Sequence, residues 1–231
     1  KDRNTIDGHG NSVKSASIDE KGKYSWIKSP RYDGMPIEVG PLSATLVSYA
    51  SGNKRITKVV DDFLKKTGVP VPALFTCLGR TAARMLQTKA VIDNGMETFN
   101  TLIENLKVDQ TTYTSYKIDK DKEYKGRFIG DVPRGMLSHW VRIKNGVISN
   151  YQAVVPSTWN AGPMDSKGQH GPYESNLIGM KVQDITQPLE IIRIIHSFDP
   201  CIACAVHVMD AKGKELGVYK VDPSYGGESD L

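Results

Sequence analysis

Cysteine is scarce in this chain. There are three in 231 residues, Cys77, Cys201 and Cys204, and an odd, small number argues against a disulfide framework and leaves thiols available for a metal. Long apolar runs are also missing, and without about 18 consecutive apolar residues there is no transmembrane helix. The first residues show no signal-peptide pattern. No block of one charge sign exists either: 30 basic and 26 acidic residues, net +4, are spread along the chain, which excludes a nucleic-acid stripe or a membrane-surface helix. The chain begins at Lys1 rather than Met, the mark of a fragment or a processed piece. What remains, 39% hydrophobic and 24% charged, is ordinary globular composition, sufficient for a core.

The pattern along the chain is mainly helical. Residues 1–23 are polar and glycine-containing and read as surface loops or a leader; Lys23 to Gly34 reads as a short aromatic strand and a turn. Ile56, Val59, Val60, Phe63 and Leu64 form one helical stripe that ends near Gly68. After the breaks at Pro70 and Pro72 a long helical region begins at Ala73, with Leu74, Cys77, Leu78, Thr81 and Met85 on one side. Cys77 is there expected as a small buried hydrophobe. A further stripe, Ile92, Met96, Phe99, Ile103 and Leu106, extends the helical pattern, its methionine expected as core filler. Residues 107–130 are charged and read as an irregular connection. Asn145-Gly146 between β-rich arms predicts a hairpin, and Gln187-Pro188-Leu189-Glu190 starts a helix with Leu189, Ile192, Ile195 and His196 on its packed side. The expected fold class is α+β, mainly helical: a long-helix bundle with a β-hairpin or small sheet.

The chemistry converges on Asp199-Pro200-Cys201-Ile202-Ala203-Cys204-Ala205-Val206-His207. Asp before Pro is a helix-start signature, and on a helix begun there the two thiols lie about 60° apart on one face, near a positive end that favours thiolate. His207 falls about 120° from Cys201, so it either shares the ion or serves a second one. Two thiolates half-fill a tetrahedral site, and the remaining ligands come from elsewhere. A zinc or redox Cys-x-x-Cys module is the alternative. Upstream, Arg134 precedes one hairpin arm and Ser157 follows the other, which puts a guanidinium and a hydroxyl at one sheet edge. Such donors suit a small anion; a plain ion pair between Arg134 and a carboxylate is the competing reading. His170 lies in a glycine-rich loop and is left unassigned. His196 reads as an outer hydrogen-bonding partner, a subunit contact or a satisfied buried histidine.

Residues 199–207 as a motif, Asp-Pro-Cys-x-x-Cys-x-x-His, resemble the C-terminal signature of nickel-iron hydrogenase large subunits. Trp26-x-Lys28-x-Pro30-Arg31-Tyr32, Glu38-Val39-Gly40-Pro41-Leu42, Gly79-Arg80-Thr81-Ala82-Ala83-Arg84, Pro133-Arg134-Gly135 and Val155-Pro156-Ser157 are similar to that family too, so the resemblance spans roughly residues 24–207. It implies that Cys201 is a terminal nickel ligand and that Cys204 bridges nickel to an iron carrying carbon monoxide and cyanide. Arg134 and Asp199 would shape the pocket above the metals, where a base assists heterolytic cleavage of H2. Ser157 would hydrogen-bond an iron-bound cyanide, with Pro133, Val155 and Pro156 packed beside it. His207 and the backbone carbonyl of Ala153 would hold magnesium or a similar divalent ion.

The same resemblance implies partners. Electrons would leave through iron-sulfur clusters in a small subunit, nickel-insertion factors would load the metal, and an endopeptidase would cut after His207. Residues 1–207 are therefore expected as the C-terminal part of the large-subunit domain and 208–231 as an extension removed on maturation. The family's other cysteine pair, in Arg-x-Cys-Gly-x-Cys, and its glutamate proton gate lie in an N-terminal half that this sequence does not contain, so the chain alone is expected not to bind the bimetallic centre. The compartment stays open between the periplasmic side of the membrane, reached through the partner subunit, and the cytoplasm.

Overall fold

A glycine and a proline start the first helix. In this computed structural model, residues 24, 25 and 27–201 are described in full, and four terminal strands as backbone alone: β1 (Asn4–Ile6), β2 (Ser12–Lys14), β6 (Ala205–Met209) and β7 (Glu215–Lys220). Gly40 caps α1 (Pro41–Ala50), with Pro41 at the first helical position, where the missing N–H costs nothing. Asn53 caps α2 (Lys54–Thr67) by accepting from the N–H of Ile56, and Gly68 at φ 70° closes it, as the stripe from Ile56 predicts. A 3-10 turn over Val71–Leu74 follows, and Thr76 caps α3 (Cys77–Val108). The helical region expected from Ala73 begins at Cys77, leaving Leu74 in the 3-10 turn, and it is continuous with the later stripe in one helix of 32 residues.

The core sits where α1 and α2 cross the first half of α3. Val59, Val60, Leu86 and Ala90 form one buried cluster; Leu42, Leu74 and Ala83 form a second. At 1.5 Å per residue α3 runs about 48 Å, against about 21 Å for α2, so the short helices cover only part of it. No residue of α3 beyond Ala90 is buried. Ile92, Met96, Phe99, Ile103 and Leu106 are exposed, as are Leu78 and Met85, which corrects the expectation that both stripes face the core. Their helical spacing is real, but the described residues supply no partner. Cys77 is half-exposed, and its thiol meets the carbonyl of Arg193 at 3.3 Å.

The sheet is antiparallel, β3 (Glu123–Val132), β4 (Gly135–Lys144) and β5 (Val147–Val154) in that order. The Asn145-Gly146 turn has both residues at positive φ, 55° and 75°, the geometry that matches strand twist. Most of β3 lies in the stretch 107–130 read as irregular. Only residues 109–122 are so; the strand escaped because Gly126, Gly130 and charged residues interrupt any alternation, a composition suited to a protected edge. The aromatic strand expected before Gly34 is absent from its described part, which holds only a turn bridging Tyr32 and Met35; Trp26 lies outside the described residues.

Short helices α4 (Pro156–Asn160) and α5 (Pro172–Leu177) lead to α6 (Leu189–Ser197). In α6, Leu189 is 48% exposed and His196 is exposed, so neither is packed as expected. The fold class is the expected one, mainly helical α+β with a small antiparallel sheet. No described helix is long and apolar enough to cross a membrane.

Candidate metal-binding cavity

Two backbones pressed together place Arg134. Residues 133–134 turn the chain from β3 into β4, and Gly135, at φ 125°, abuts Gly40 so closely that a methyl group on it would lie 2.5 Å from the Gly40 nitrogen. Only glycine fits there. Asn160, 2% exposed, clamps the facing segment: its amide oxygen accepts from Val39 N–H at 3.0 Å and its amide nitrogen donates to Val39 C=O at 2.7 Å. A buried backbone N–H and C=O are thus both satisfied. Sequence reasoning missed Asn160, because its partner is 121 residues away.

Beside this joint lies a cavity of about 310 Å³, lined by Ile27, Val132, Pro133, Arg134, Leu137, Val155, Pro156, Ser157, Thr158 and Cys201. Six of the ten expected site residues therefore share one concave surface: Pro133, Arg134, Val155, Pro156, Ser157 and Cys201. Ile27, Val132, Leu137 and Thr158 had no sequence signal as liners. Ser157 is 5% exposed, and its hydroxyl oxygen accepts from the Cys201 N–H at 3.1 Å. A hydroxyl that accepts one bond keeps its own O–H to donate.

Arg134 donates through Nε to the Asp199 carbonyl at 3.0 Å, with Nη2 3.4 Å from the Asp199 carboxylate. Both side chains are about 40% exposed, so the pair contributes little to stability. Its effect is to tie the cavity wall to the chain entering Cys201. Asp131, two residues before Pro133, has its carboxyl pushed above the ordinary value by loss of hydration, partly offset by a hydrogen bond from Gln87.

The Asp199-Pro200 step does not start a helix. Asp199 follows the end of α6 at φ 55°, donating its N–H to the His196 carbonyl at 2.9 Å. Aspartate tolerates this left-handed turn, and proline after it stops the helix. Pro200 and Cys201 are non-helical, and Ala205–Met209 is a strand, so the helix expected to carry both thiols and His207 is overturned. The same dipeptide serves either helix end; the helical run before it decides which. Cys201 is exposed at the cavity. Cys204 lies outside the described residues. His207 is described as backbone alone, opposite Val218 in the β6–β7 hairpin. Ala153 pairs with His139 outside the cavity lining, and its carbonyl accepts from the Gln152 amide at 2.8 Å. His170, left unassigned above, bonds Glu174 at 2.7 Å.

A soft, exposed thiol on a largely apolar cavity whose lining also carries a cation and a hydroxyl fits a soft metal carrying small anionic ligands. The fit is partial, since no group of three or more His, Cys, Asp or Glu able to hold a metal occurs among the described residues.

Comparison with known proteins decides the family. A family model described as nickel-dependent hydrogenase matches residues 1–207. The chain belongs to the nickel-dependent hydrogenases. Among relatives of this hydrogenase chain, the quinone-reactive Ni/Fe-hydrogenase large chain of Wolinella succinogenes is 69% identical over 96% of this chain and 39% of its own. The hydrogenase-2 large chain of Escherichia coli is 46% identical over 87% of this chain and 37% of its own. The solved Ni-Fe-Se hydrogenase of D. vulgaris Hildenborough in the reduced state superposes with a TM-score of 0.62 at 32% identity, covering 84% of this chain and 40% of that one. The hydrogenase chain thus spans about two fifths of the length of these relatives.

Proposed function

We propose that this chain is the C-terminal part of the catalytic large subunit of a nickel-iron hydrogenase, which cleaves H2 reversibly and heterolytically and passes electrons to an iron-sulfur small subunit. The observation that carries the proposal is the shared cavity, which Cys201 lines together with Arg134 and Ser157, its N–H bonded to the Ser157 hydroxyl, within a chain 69% identical to a Ni/Fe-hydrogenase large chain. Cys201 and Cys204 would supply two of the thiolates for nickel and iron. The Ser157 O–H, free to donate, would hold an iron-bound cyanide; Pro133, Val155 and Pro156 would exclude water around it. When bound, the nickel-iron group with its carbon monoxide and cyanide ligands supplies the Lewis acidity that polarises H2.

The chain's own residues then handle the proton. Arg134 holds its guanidinium, a group with donors and no acceptor, at the cavity, so it orients and balances anionic groups. Asp199, hydrogen-bonded to it through the carbonyl, is the nearby carboxylate able to receive one. The Cys201 thiolate is the other base within the cavity. His207 and the Ala153 carbonyl would bind magnesium or a similar ion, and cleavage after His207 would remove 208–231 once nickel is inserted. The family match ending at residue 207 supports that boundary.

The test is metal analysis and H2-dependent dye reduction of the relative-length large subunit purified with its small subunit. Nickel and iron near one per molecule, with activity lost in Cys201→Ser, are expected. Zinc without hydrogen turnover would instead establish a Cys-x-x-Cys zinc or redox module. The 231-residue chain by itself is expected to hold no stoichiometric nickel-iron centre.

A further inference from the structure

Outside the cavity lining, a buried cation has no role in the function proposed above. Arg80 is 6% exposed. Its Nε and Nη2 donate to the two carboxylate oxygens of Glu38 at 2.7 and 2.8 Å, and Nη2 also donates to Asn176 at 2.8 Å. Burying a guanidinium is costly unless its charge is matched and its donors are used; the bidentate carboxylate does both and fixes the plane of the group. That plane is then put to use: its central carbon stands 4.1 Å from the centroid of the Phe198 ring. Tyr173 packs on the same ring, centroids 4.8 Å apart, and Phe198 is 4% exposed.

Phe198 is the last residue before the left-handed turn at Asp199, three residues before Cys201. One helical turn along α3, Arg84 donates to the Ser197 carbonyl at 3.0 Å, a cation at the negative end of α6. The two arginines of α3 therefore hold the end of α6 in both position and direction. We propose that Arg80 is a positioning residue: kept rigid by Glu38 and Asn176, it seats Phe198 and thereby sets the path on which Cys201 enters the cavity and meets Ser157. Lysine cannot substitute, because a point ammonium lacks both the fork and the flat face. The part of the proposal that concerns the metal rests on Cys201 being a nickel ligand.

Hydrogen exchange separates the two. In the full 231-residue chain, Arg80→Lys and Phe198→Leu are each expected to speed exchange of the Cys201 amide at least about tenfold, while amides of α3 from Ala83 to Ala90 stay within about twofold. Faster exchange along α3 as well would show a merely structural role and overturn the proposal, as would an unchanged Cys201 amide. If neither variant folds, the unmodified chain decides: a Cys201 amide exchanging as slowly as those of α3 upholds the seating, and one exchanging at the rate of an exposed loop refutes it. In the longer protein with its small subunit, Arg80→Lys is expected to lower nickel content several-fold and to alter the nickel paramagnetic resonance spectrum. If the unmodified protein holds no nickel, the proposed function fails, and the exchange result still stands on its own.

Discussion

Adding one methyl group to Gly135 tests the joint that carries Arg134. The residue sits at φ 125° with the Gly40 nitrogen 2.5 Å, the Val39 carbonyl carbon 2.8 Å and the Gly40 Cα 2.9 Å from where a Cβ would lie, so Gly135→Ala meets both backbone strain and a collision with main-chain atoms that have no rotamer to escape into. Gly34→Ala is the control, since Gly34 has φ 74° and nothing within 4 Å. Its penalty is strain alone, about 1–2 kcal/mol. Gly135→Ala adds displacement of the Asn160-clamped segment, for a total of at least about 3 kcal/mol. In a chain of this size each kcal/mol lowers Tm by roughly 2–4 °C, so thermal melts by circular dichroism should separate the variants by several degrees. Urea unfolding should show a lower midpoint for Gly135→Ala with an unchanged slope. Equal losses for the two variants would mean that the Gly40–Gly135 contact is not what holds the turn, and the account of how Arg134 reaches the cavity would be wrong.

Ser157→Ala should remove the acceptor of the Cys201 N–H and destabilise by about 1 kcal/mol; faster exchange of that single amide is the measurement, and unchanged exchange counts against the contact. Asp165 accepts from the Gln169 N–H and from Arg31, which hold its carboxyl below the ordinary value of 3.8. Its stabilising effect is complete above that ordinary value and is lost as pH falls through the lowered one, so stability against acid in Asp165→Asn should vary less over this window than in the parent. The exposed side chains Ile92, Met96, Phe99 and Ile103 should make the chain bind an apolar dye, and replacing Phe99 and Ile103 by Gln should cut the dye signal without lowering Tm, since neither residue is buried.

Much of the fold was legible because its signals are local. The stripe from Ile56 to Leu64 stops at Gly68 for reasons contained in those residues, and Asn145-Gly146 needs only its own two dihedral angles to turn a hairpin. The α1 helix was missed although Gly40-Pro41 opens it, because its apolar residues follow no single stripe. Burial on α3 misled for a different reason: periodicity tells which residues share a face and says nothing about whether an element lies against it. The site divided in the same way. Arg134 and Ser157 fell at one sheet edge by hairpin logic, whereas Asn160 on Val39, Glu38 on Arg80 and Arg80 on Phe198 join residues 121, 42 and 118 positions apart, and no spacing rule reaches that far.

Residue type and order alone thus determined the thiol pair, the hairpin, the helical character and the family to which the motifs point, since each depends on short-range geometry or on the chemistry of a few side chains. Only the folded chain decided that Asp199-Pro200 ends a helix instead of starting one, that no described residue buries the second half of α3, and that a buried guanidinium packs on Phe198 three residues before Cys201. Those outcomes depend on which surfaces meet, and surfaces meet only once the backbone has closed on itself.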